Sequence, residues 1–264
     1  MADKPAVLVA REGHVVVVTI NRPEARNAMD LEVLGRLADA WDLIDGDDDV
    51  RVAILTGAGG HFSAGADLKK MHNPADDEWL ARFKADENLQ WKSFLRDYRL
   101  SKPIIAAVEG TCLAGGTEIL QATDIRVAGT SAIFGVSEAR WGLFPMGGST
   151  VRLRRQIPHT LAMEMLLTGR KISADEALRF GLIGRVVADG EALAEAKKIA
   201  GQIAENGPFA VQMIKRSVQQ TEGLPETEAL EIELQYGWKV FNSEDAKEGP
   251  RAFAEKRAPN FKGR

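Results

Sequence analysis

The sequence predicts an α/β fold on three observations: β-branched runs that read as buried strands, glycine-rich turns that follow them, and helical spacing that takes over after about Leu153. Val15 to Ile20 is a continuous β-branched run and reads as the first buried strand. Asn21-Arg22-Pro23-Glu24 breaks it. Asp30 stands where it can N-cap a helix. In that helix Leu31, Leu34, Leu37, Ala38, Trp41 and Ile44 recur at helical spacing, and the acidic run Asp45 to Asp49 ends it. Val52 to Thr56 is the second strand and runs into Gly57-Ala58-Gly59-Gly60. Ile104 to Val108, opened by Lys102-Pro103, is the third. Gly115-Gly116 then leads into a helix over Thr117 to Thr123, and Ile125 to Ala128 is the fourth strand.

Beyond Leu153, the stretches Leu161 to Leu167, Asp175 to Phe180, Ala192 to Ile203, Pro208 to Gln220 and Glu226 to Phe241 favour helix. Ser173 and Glu176 have the spacing of a capping box, in which each side chain satisfies the other's backbone N–H. Pro250 to Arg257 reads as the start of a last helix, because proline suits a first turn. This divides the chain into an α/β core over about residues 1–190 and a helical region over 191–264. Met71 to Tyr98 is polar and charge-rich and lies between core strands. It reads either as a helix over a site or as a solvated insertion, the latter being the commoner case.

With 45% hydrophobic and 27% charged residues, the 264-residue chain can bury a sizeable core. A net charge of -4 argues against nucleic acid as the main partner, because phosphate backbones call for a basic face. It leaves room for a small anionic ligand held by a few cations and backbone N–H groups. Cys112 is the single cysteine, so no intrachain disulfide can form and a reducing compartment is the simpler expectation. No apolar run follows Met1 to Pro5, and none reaches membrane-spanning length. A soluble cytoplasmic protein with no membrane partner is expected.

Several chemistries fall away. His14, His61, His72 and His159 show no metal-ligand spacing with one another or with Cys112, so no metal site is expected. The run Gly57 to Gly65 lacks the Lys-Ser/Thr of a P-loop, and Phe62 breaks a Gly-x-Gly-x-x-Gly frame. Gly147-Gly148-Ser149 lacks the frame of a nucleophile elbow, so Ser149 and Ser63 read as structural. Cys112 follows a strand among apolar neighbours and reads as a small buried residue.

Two glycine-rich turns and two glutamates remain. In Phe62 to Lys69 and in Ala114-Gly115-Gly116-Thr117-Glu118, small residues let a ligand approach backbone N–H groups, and two converging N–H groups suit an enolate oxygen. For either turn alone, tight packing is the stronger reading. Glu118 and Glu138 have mainly small or apolar neighbours, which raises a carboxyl's pKa toward the range of acid–base work. The competing reading is a salt bridge to Arg126 or Arg140.

Further segments extend the pattern. Asn21-Arg22-Pro23 with Asn27-Ala28, Gly65-Ala66-Asp67-Leu68, Ala114 to Glu118, and Phe134-Gly135-x-x-Glu138 with Gly142-x-x-Pro145-x-Gly147-Gly148 together resemble the crotonase superfamily, in its order and spacing. Leu167-Thr168-Gly169-Arg170, Ser173-Ala174, Gly181-Leu182 and Glu248-Gly249 through Arg257 carry the resemblance across nearly the whole chain.

The resemblance implies a ββα spiral core with a helical C-terminal trimerisation region. It implies an acyl-CoA thioester substrate, a homotrimer or dimer of trimers, no cofactor beyond the CoA of the substrate, and a place in fatty-acid metabolism such as β-oxidation. The thioester oxygen would lie between the N–H groups of Ala66 and Gly115. CoA and acyl contacts would come from Arg26, Ala64, Ala66, Asp67, Leu68, Lys69, Gly115, Gly116, Met146 and Gly147. Family hydratases use two glutamates, and Glu118 and Glu138 occupy both positions, which favours an enoyl-CoA hydratase over an isomerase. Glu138 would give a proton to C2 while Glu118 orients and activates water.

Departures exist as well. Pro145-Met146-Gly147-Gly148-Ser149-Thr150-Val151 differs from the usual Pro-Gly-x-Gly-Gly-Thr-Gln, and Met146 bears on the choice of acyl group rather than on the reaction. Val136-Ser137 replaces the more usual Gln/Ile-Pro. Competing readings are an isomerase or a specialised crotonase on a non-fatty acyl group, a non-catalytic acyl-CoA binding module, and a Clp-type peptidase, for which a Ser-His-Asp set is lacking.

Overall fold

The computed structural model describes residues 5–72 and 78–264; Met1 to Lys4, the side chain of His72 and part of the Met71 to Tyr98 stretch lie outside the described residues. Strands β1 (Val7–Glu12) and β2 (Val15–Ile20) form an antiparallel hairpin. Helix α1 (Leu31–Gly46) starts where Asp30 accepts a hydrogen bond from the Val33 N–H at 3.0 Å. Its Leu34, Leu37, Ala38, Trp41 and Ile44 are buried, as the spacing predicts.

Then come β3 (Val52–Gly57), α2 (Leu68–His72), α3 (Glu78–Ala85) and α4 (Leu89–Ser93). They lead into β4 (Ile104–Val108), β5 (Thr111–Leu113), α5 (Gly115–Leu120), β6 (Ile125–Gly129) and β7 (Ile133–Gly135). A 3-10 turn spans Glu138–Trp141. Next are α6 (Ser149–Gln156), α7 (His159–Thr168), β8 (Ile172–Ser173), α8 (Ala174–Phe180) and β9 (Arg185–Val187). The chain closes with α9 (Ala192–Ala204), α10 (Pro208–Thr221), α11 (Glu226–Phe241) and α12 (Glu244–Ala254).

The large sheet has the order β1-β2-β3-β4-β6-β9, parallel throughout except for the β1–β2 hairpin. Both faces of its inner strands β2, β3, β4 and β6 are covered, which is why those strands read as near-continuous apolar runs. Ala53, Leu55, Ile104 and Ala106 point into one core with α1. Val52, Ile54, Ile105 and Ala107 point the other way, onto Ala192, Ala196, Ile199 and Ala200 of α9. A second layer follows the same winding. Met29 bridges Ala66, Ser63 bridges Cys112, and β5 pairs in parallel with β7. Each turn of chain thus supplies a long strand to the large sheet, a short piece to the second layer, and a helix. This is the expected crotonase-type ββα arrangement with helices at the C-terminus.

Some boundaries differ from the reading of the sequence. The helix expected over Thr117 to Thr123 begins at Gly115 and ends at Leu120. Cys112 lies within β5 rather than after a strand; it is buried, and burial pushes its thiol pKa up. Pro250 lies inside α12, not in its first turn. The reason is Ser243, whose Oγ accepts from Ala246 N at 3.0 Å and starts the helix ahead of the proline. The capping box at Ser173 and Glu176 forms as expected.

Met71 to Tyr98 is not a solvated insertion where it is described. Trp41 donates to the Ser93 carbonyl at 3.1 Å, and Ser93 Oγ donates to Leu34 O at 2.6 Å, which pins α4 to α1. Trp79 of α3 lies over Gly35, where a Cβ would come within 2.5 Å of its ring. A mid-helix glycine costs ~1 kcal/mol, and at Gly35 it makes the room that Trp79 fills. Among the described residues no helix is long and apolar enough to cross a membrane.

Candidate active site

The turn after β3 is shaped from outside by Asn27. Its Nδ2 donates to Ala58 O at 2.9 Å and His61 O at 2.6 Å, and its Oδ1 accepts from Arg22 N at 2.9 Å. Ser63 Oγ donates to Asn27 O at 2.8 Å, so the serine is structural as read. Arg22 then reaches across to Asp67 at 3.0 Å and Asp30 at 3.3 Å, and Lys70 meets Asp30 at 2.5 Å. Because Asp67 N also donates to Met29 O at 2.9 Å, the residue next to Ala66 is held from both sides. Burial pushes the Asp67 carboxyl's pKa up, but Arg22 and Lys70 beside it outweigh that push and leave the pKa lowered.

The second turn abuts the first. A Cβ on Gly65 would lie 2.9 Å from Leu113 O and 3.0 Å from Gly115 N. Ala114 adopts φ 50, ψ -124, a region L-residues rarely occupy, and so sets the direction of the Gly115 N–H at the head of α5. Among the described residues neither the Ala66 nor the Gly115 N–H donates to another protein group. Both residues line a single cavity of about 630 Å³. Two free N–H groups at adjoining turns are an arrangement that can donate hydrogen bonds to negative charge on a ligand oxygen.

Glu118 and Glu138 line the same cavity and are 4% and 9% exposed. Glu118 accepts from Ser149 N at 3.2 Å, and Gly147 packs against the same carboxylate. Burial leaves its pKa raised above the usual carboxylate range, although the Ser149 and Gly147 N–H groups and the Arg152 guanidinium offset part of the rise. In Glu138, Oε2 is buried with no partner among the described residues. Burial first, and the charge of Glu118 second, push the Glu138 carboxyl up to about 7. Neither Arg126 nor Arg140 pairs with either glutamate: Arg126 instead donates to Gln156 Oε1 at 2.9 Å and Leu182 O at 2.8 Å.

The structure also gathers Ala64, Asp67, Leu68, Met146 and Gly147 around this cavity. Arg26 and Lys69 are exposed and outside its lining, while Gly116 lies behind it, where a Cβ would come within 2.6 Å of Ser63 O. Sequence reasoning missed the aromatic wall. Trp79, Trp91, Phe94, Trp141 and Phe144 line the cavity, and three of these five lie in or beside the segment that reads as polar. Ser149 is structural as read: its buried Oγ accepts from Gln121 Nε2 at 2.8 Å, and only its backbone N–H reaches Glu118. His61 accepts from Thr111 N at 3.3 Å in its loop. Among the described residues no cluster of His, Cys, Asp or Glu could hold a metal ion.

The family model described as enoyl-CoA hydratase/isomerase matches residues 10–264. Enoyl-CoA hydratase EchA19 of Mycobacterium tuberculosis is 58% identical over 261 residues, covering 98% of this chain and 97% of the relative. The (E)-benzylidenesuccinyl-CoA hydratase of Thauera aromatica is 41% identical over 256 residues, covering 95% and 96%. Among solved structures, an enoyl-CoA hydratase from Mycobacterium tuberculosis superposes with a TM-score of 0.89 at 41% identity, covering 99% of this chain and 100% of that one.

Proposed function

The chain belongs to the enoyl-CoA hydratase/isomerase family and is an enoyl-CoA hydratase, and from that premise we propose that Glu118 and Glu138 add water to a trans-2-enoyl-CoA to give the 3-hydroxyacyl-CoA. The observation that carries this assignment is the contrast between two buried carboxylates in one cavity. Glu118 accepts from the Ser149 N–H with Gly147 packed against it, and Glu138 has a bare Oε2 and a pKa pushed up to about 7.

In this reading the thioester oxygen accepts from Ala66 N and Gly115 N. Their hydrogen bonds draw electron density from the double bond and make C3 electrophilic. Glu118 takes a proton from water as the oxygen bonds to C3, and the π electrons move onto the thioester oxygen as an enolate. Loss of a single oxyanion-hole donor costs roughly 3–4 kcal/mol of transition-state stabilisation in other enzymes. The enolate then collapses, and C2 takes a proton from Glu138. This leaves Glu118 protonated and Glu138 ionised, so the pair must exchange a proton before the next turnover. A shared titration of two facing carboxyls permits that exchange.

The chemistry calls on no metal or cofactor beyond the substrate's own CoA. The aromatic wall and Met146 face the acyl group, and Asp67 and Leu68 face the CoA side. We place the enzyme in cytoplasmic acyl-CoA metabolism as a homotrimer or dimer of trimers. The test is to mix the protein with a panel of trans-2-enoyl-CoA esters and follow loss of the conjugated thioester absorbance. Hydration of at least one ester is expected, and no absorbance loss with any member would overturn the reading.

A further inference from the structure

We propose that Arg152 is a positioning residue for hydration, one that holds the Gly147–Ser149 turn against Glu118 and ties it to the Phe94–Leu95 turn behind Gly115. The proposal rests on Glu118 acting as the base. Arg152 lies on α6 and is partly buried. Its Nη1 donates to Gly147 O at 3.3 Å, and its Nη2 donates to Leu95 O at 2.6 Å. At its other end the Gly147 N–H faces Glu118 and helps hold that carboxyl's pKa down. Gly147 also packs directly on that carboxylate, since a Cβ there would come within 2.8 Å of Glu118 Oε2.

The second anchor matters as much. Leu95 takes the left-handed conformation at φ 51, and Phe94 before it lines the cavity. A Cβ on Gly115 would come within 3.2 Å of the Phe94 ring, so Phe94 backs the turn that aims the Gly115 N–H. One planar guanidinium thus joins the carboxylate side of the site to its oxyanion side, through donors that a lysine ammonium cannot place in the same fork. The charged groups facing Glu118 are Glu138 and Arg152. Those facing Arg152 are Arg96 and Arg99 before β4, Glu118 itself, and Glu222 after α10. Arg152 therefore also supplies the positive charge next to Glu118 and favours its ionised form.

The test compares the parent with Arg152→Met and Arg152→Lys, using the ¹³C signal of the Glu118 side-chain carboxyl, identified by its loss in Glu118→Gln, together with kcat and KM on a hydrated ester. In Arg152→Met the Glu118 titration moves to higher pH, and kcat falls by up to about 100-fold, the scale of a misplaced reacting group, with KM little changed. Arg152→Lys keeps the Glu118 titration near that of the parent but still lowers kcat. An unmoved titration and unchanged kcat in Arg152→Met would overturn the proposal. Should Arg152→Met fail to fold by circular dichroism, a fully active Arg152→Lys would overturn it instead. If the parent hydrates no ester, the functional reading fails, and the Glu118 titration alone decides the role of Arg152.

Discussion

The backbone N–H of Ser149 donates to Glu118 Oε1 over 3.2 Å, and no protein group in the described structure does the same for Oε2 of Glu138. Burial raises both carboxyls, but the N–H groups on Glu118 offset part of its rise while Glu138 has no such partner, and the proposed base and acid rest on that difference. Glu118→Gln and Glu138→Gln keep size and remove the titratable group. Each is expected to lower hydration by roughly 100- to 10,000-fold, the usual worth of a placed acid or base. The double variant should be little worse than the poorer single, because the two pass one proton between them. Steady-state rates of all three, beside unchanged affinity for the CoA ester, check this. A fully active Glu118→Gln would leave Glu118 a structural helix residue.

The raised carboxyl of Glu138 predicts a pH dependence with a definite sign. Folded Glu138 holds its proton up to about 7, whereas a carboxyl in the unfolded chain releases it near 4.5. Between those values the folded state binds more protons, so this stabilisation is complete below 4.5 and is lost as pH rises through about 7. Hydration should decline over the same rise, since C2 takes its proton from neutral Glu138. Urea unfolding at pH 5 and 8, with kcat/KM across that range, tests both. Glu138→Gln should flatten the stability slope, and a parent protein more stable at the higher pH by the Glu138 contribution would contradict the assignment.

How much of this could be read from the residues depended on where each one points. Strands such as Ile104–Val108 were legible because both faces are buried, which leaves an unbroken apolar run. Val7–Glu12 escaped notice because all but its first residue are exposed. The strands of the second layer, three residues or fewer, are too short to show any periodicity. The helices of the Met71 to Tyr98 stretch were illegible for a different reason: they are only 5, 8 and 5 residues long, and Trp79 and Trp91 turn toward the cavity, so no long apolar stripe forms. Glu118 and Glu138 stood out by their apolar neighbours. Arg152 could not, because its partner Leu95 is 57 positions away in sequence.

Gly65 and Gly115 should fail in different ways. A Cβ on Gly65, at φ +90, meets backbone at Leu113 O and Gly115 N, which cannot yield. On Gly115 it meets the Met29 and Phe94 side chains at 3.1 and 3.2 Å, which can. Gly65→Ala is expected to lose about 1–3 kcal/mol of stability by overpacking. Gly115→Val should stay folded yet lose turnover, because the valine displaces Phe94 and crowds the thioester oxygen. Urea midpoints and initial rates separate the two, and normal turnover in Gly115→Val would remove Gly115 from the oxyanion hole.

The outer face of α11 predicts self-association. Leu230, Leu234, Trp238 and Phe241 are 54%, 59%, 59% and 74% exposed. Together they form an apolar stripe on one helix, larger than scattered surface residues require. Light scattering at micromolar concentration is expected to give the mass of three or six chains, and Leu234→Glu with Trp238→Glu should reduce it. A monomeric parent would contradict the trimer.

Ala114 offers a test of strain placed beside the chemistry. Its φ of 50 with ψ of -124 suits glycine, yet alanine stands there. The conformation is enforced by two bonds, Ala114 N to Gly135 O at 2.7 Å and Glu118 N to Ala114 O at 3.0 Å. Such backbone strain costs on the order of 1–3 kcal/mol, and glycine would relieve it. Glycine also frees the unfolded chain, which offsets about 0.4–1 kcal/mol of the gain. Ala114→Gly should therefore be more stable than the parent by about 1 kcal/mol. The same freedom lets the Gly115 N–H wander from the thioester oxygen, so kcat should fall even as stability rises. Ala114→Val, with a branched Cβ in the same conformation, should be less stable than the parent. Urea unfolding and kcat for both variants decide the point: an Ala114→Gly protein that is less stable than the parent would show that Ala114 stores no strain for the oxyanion turn.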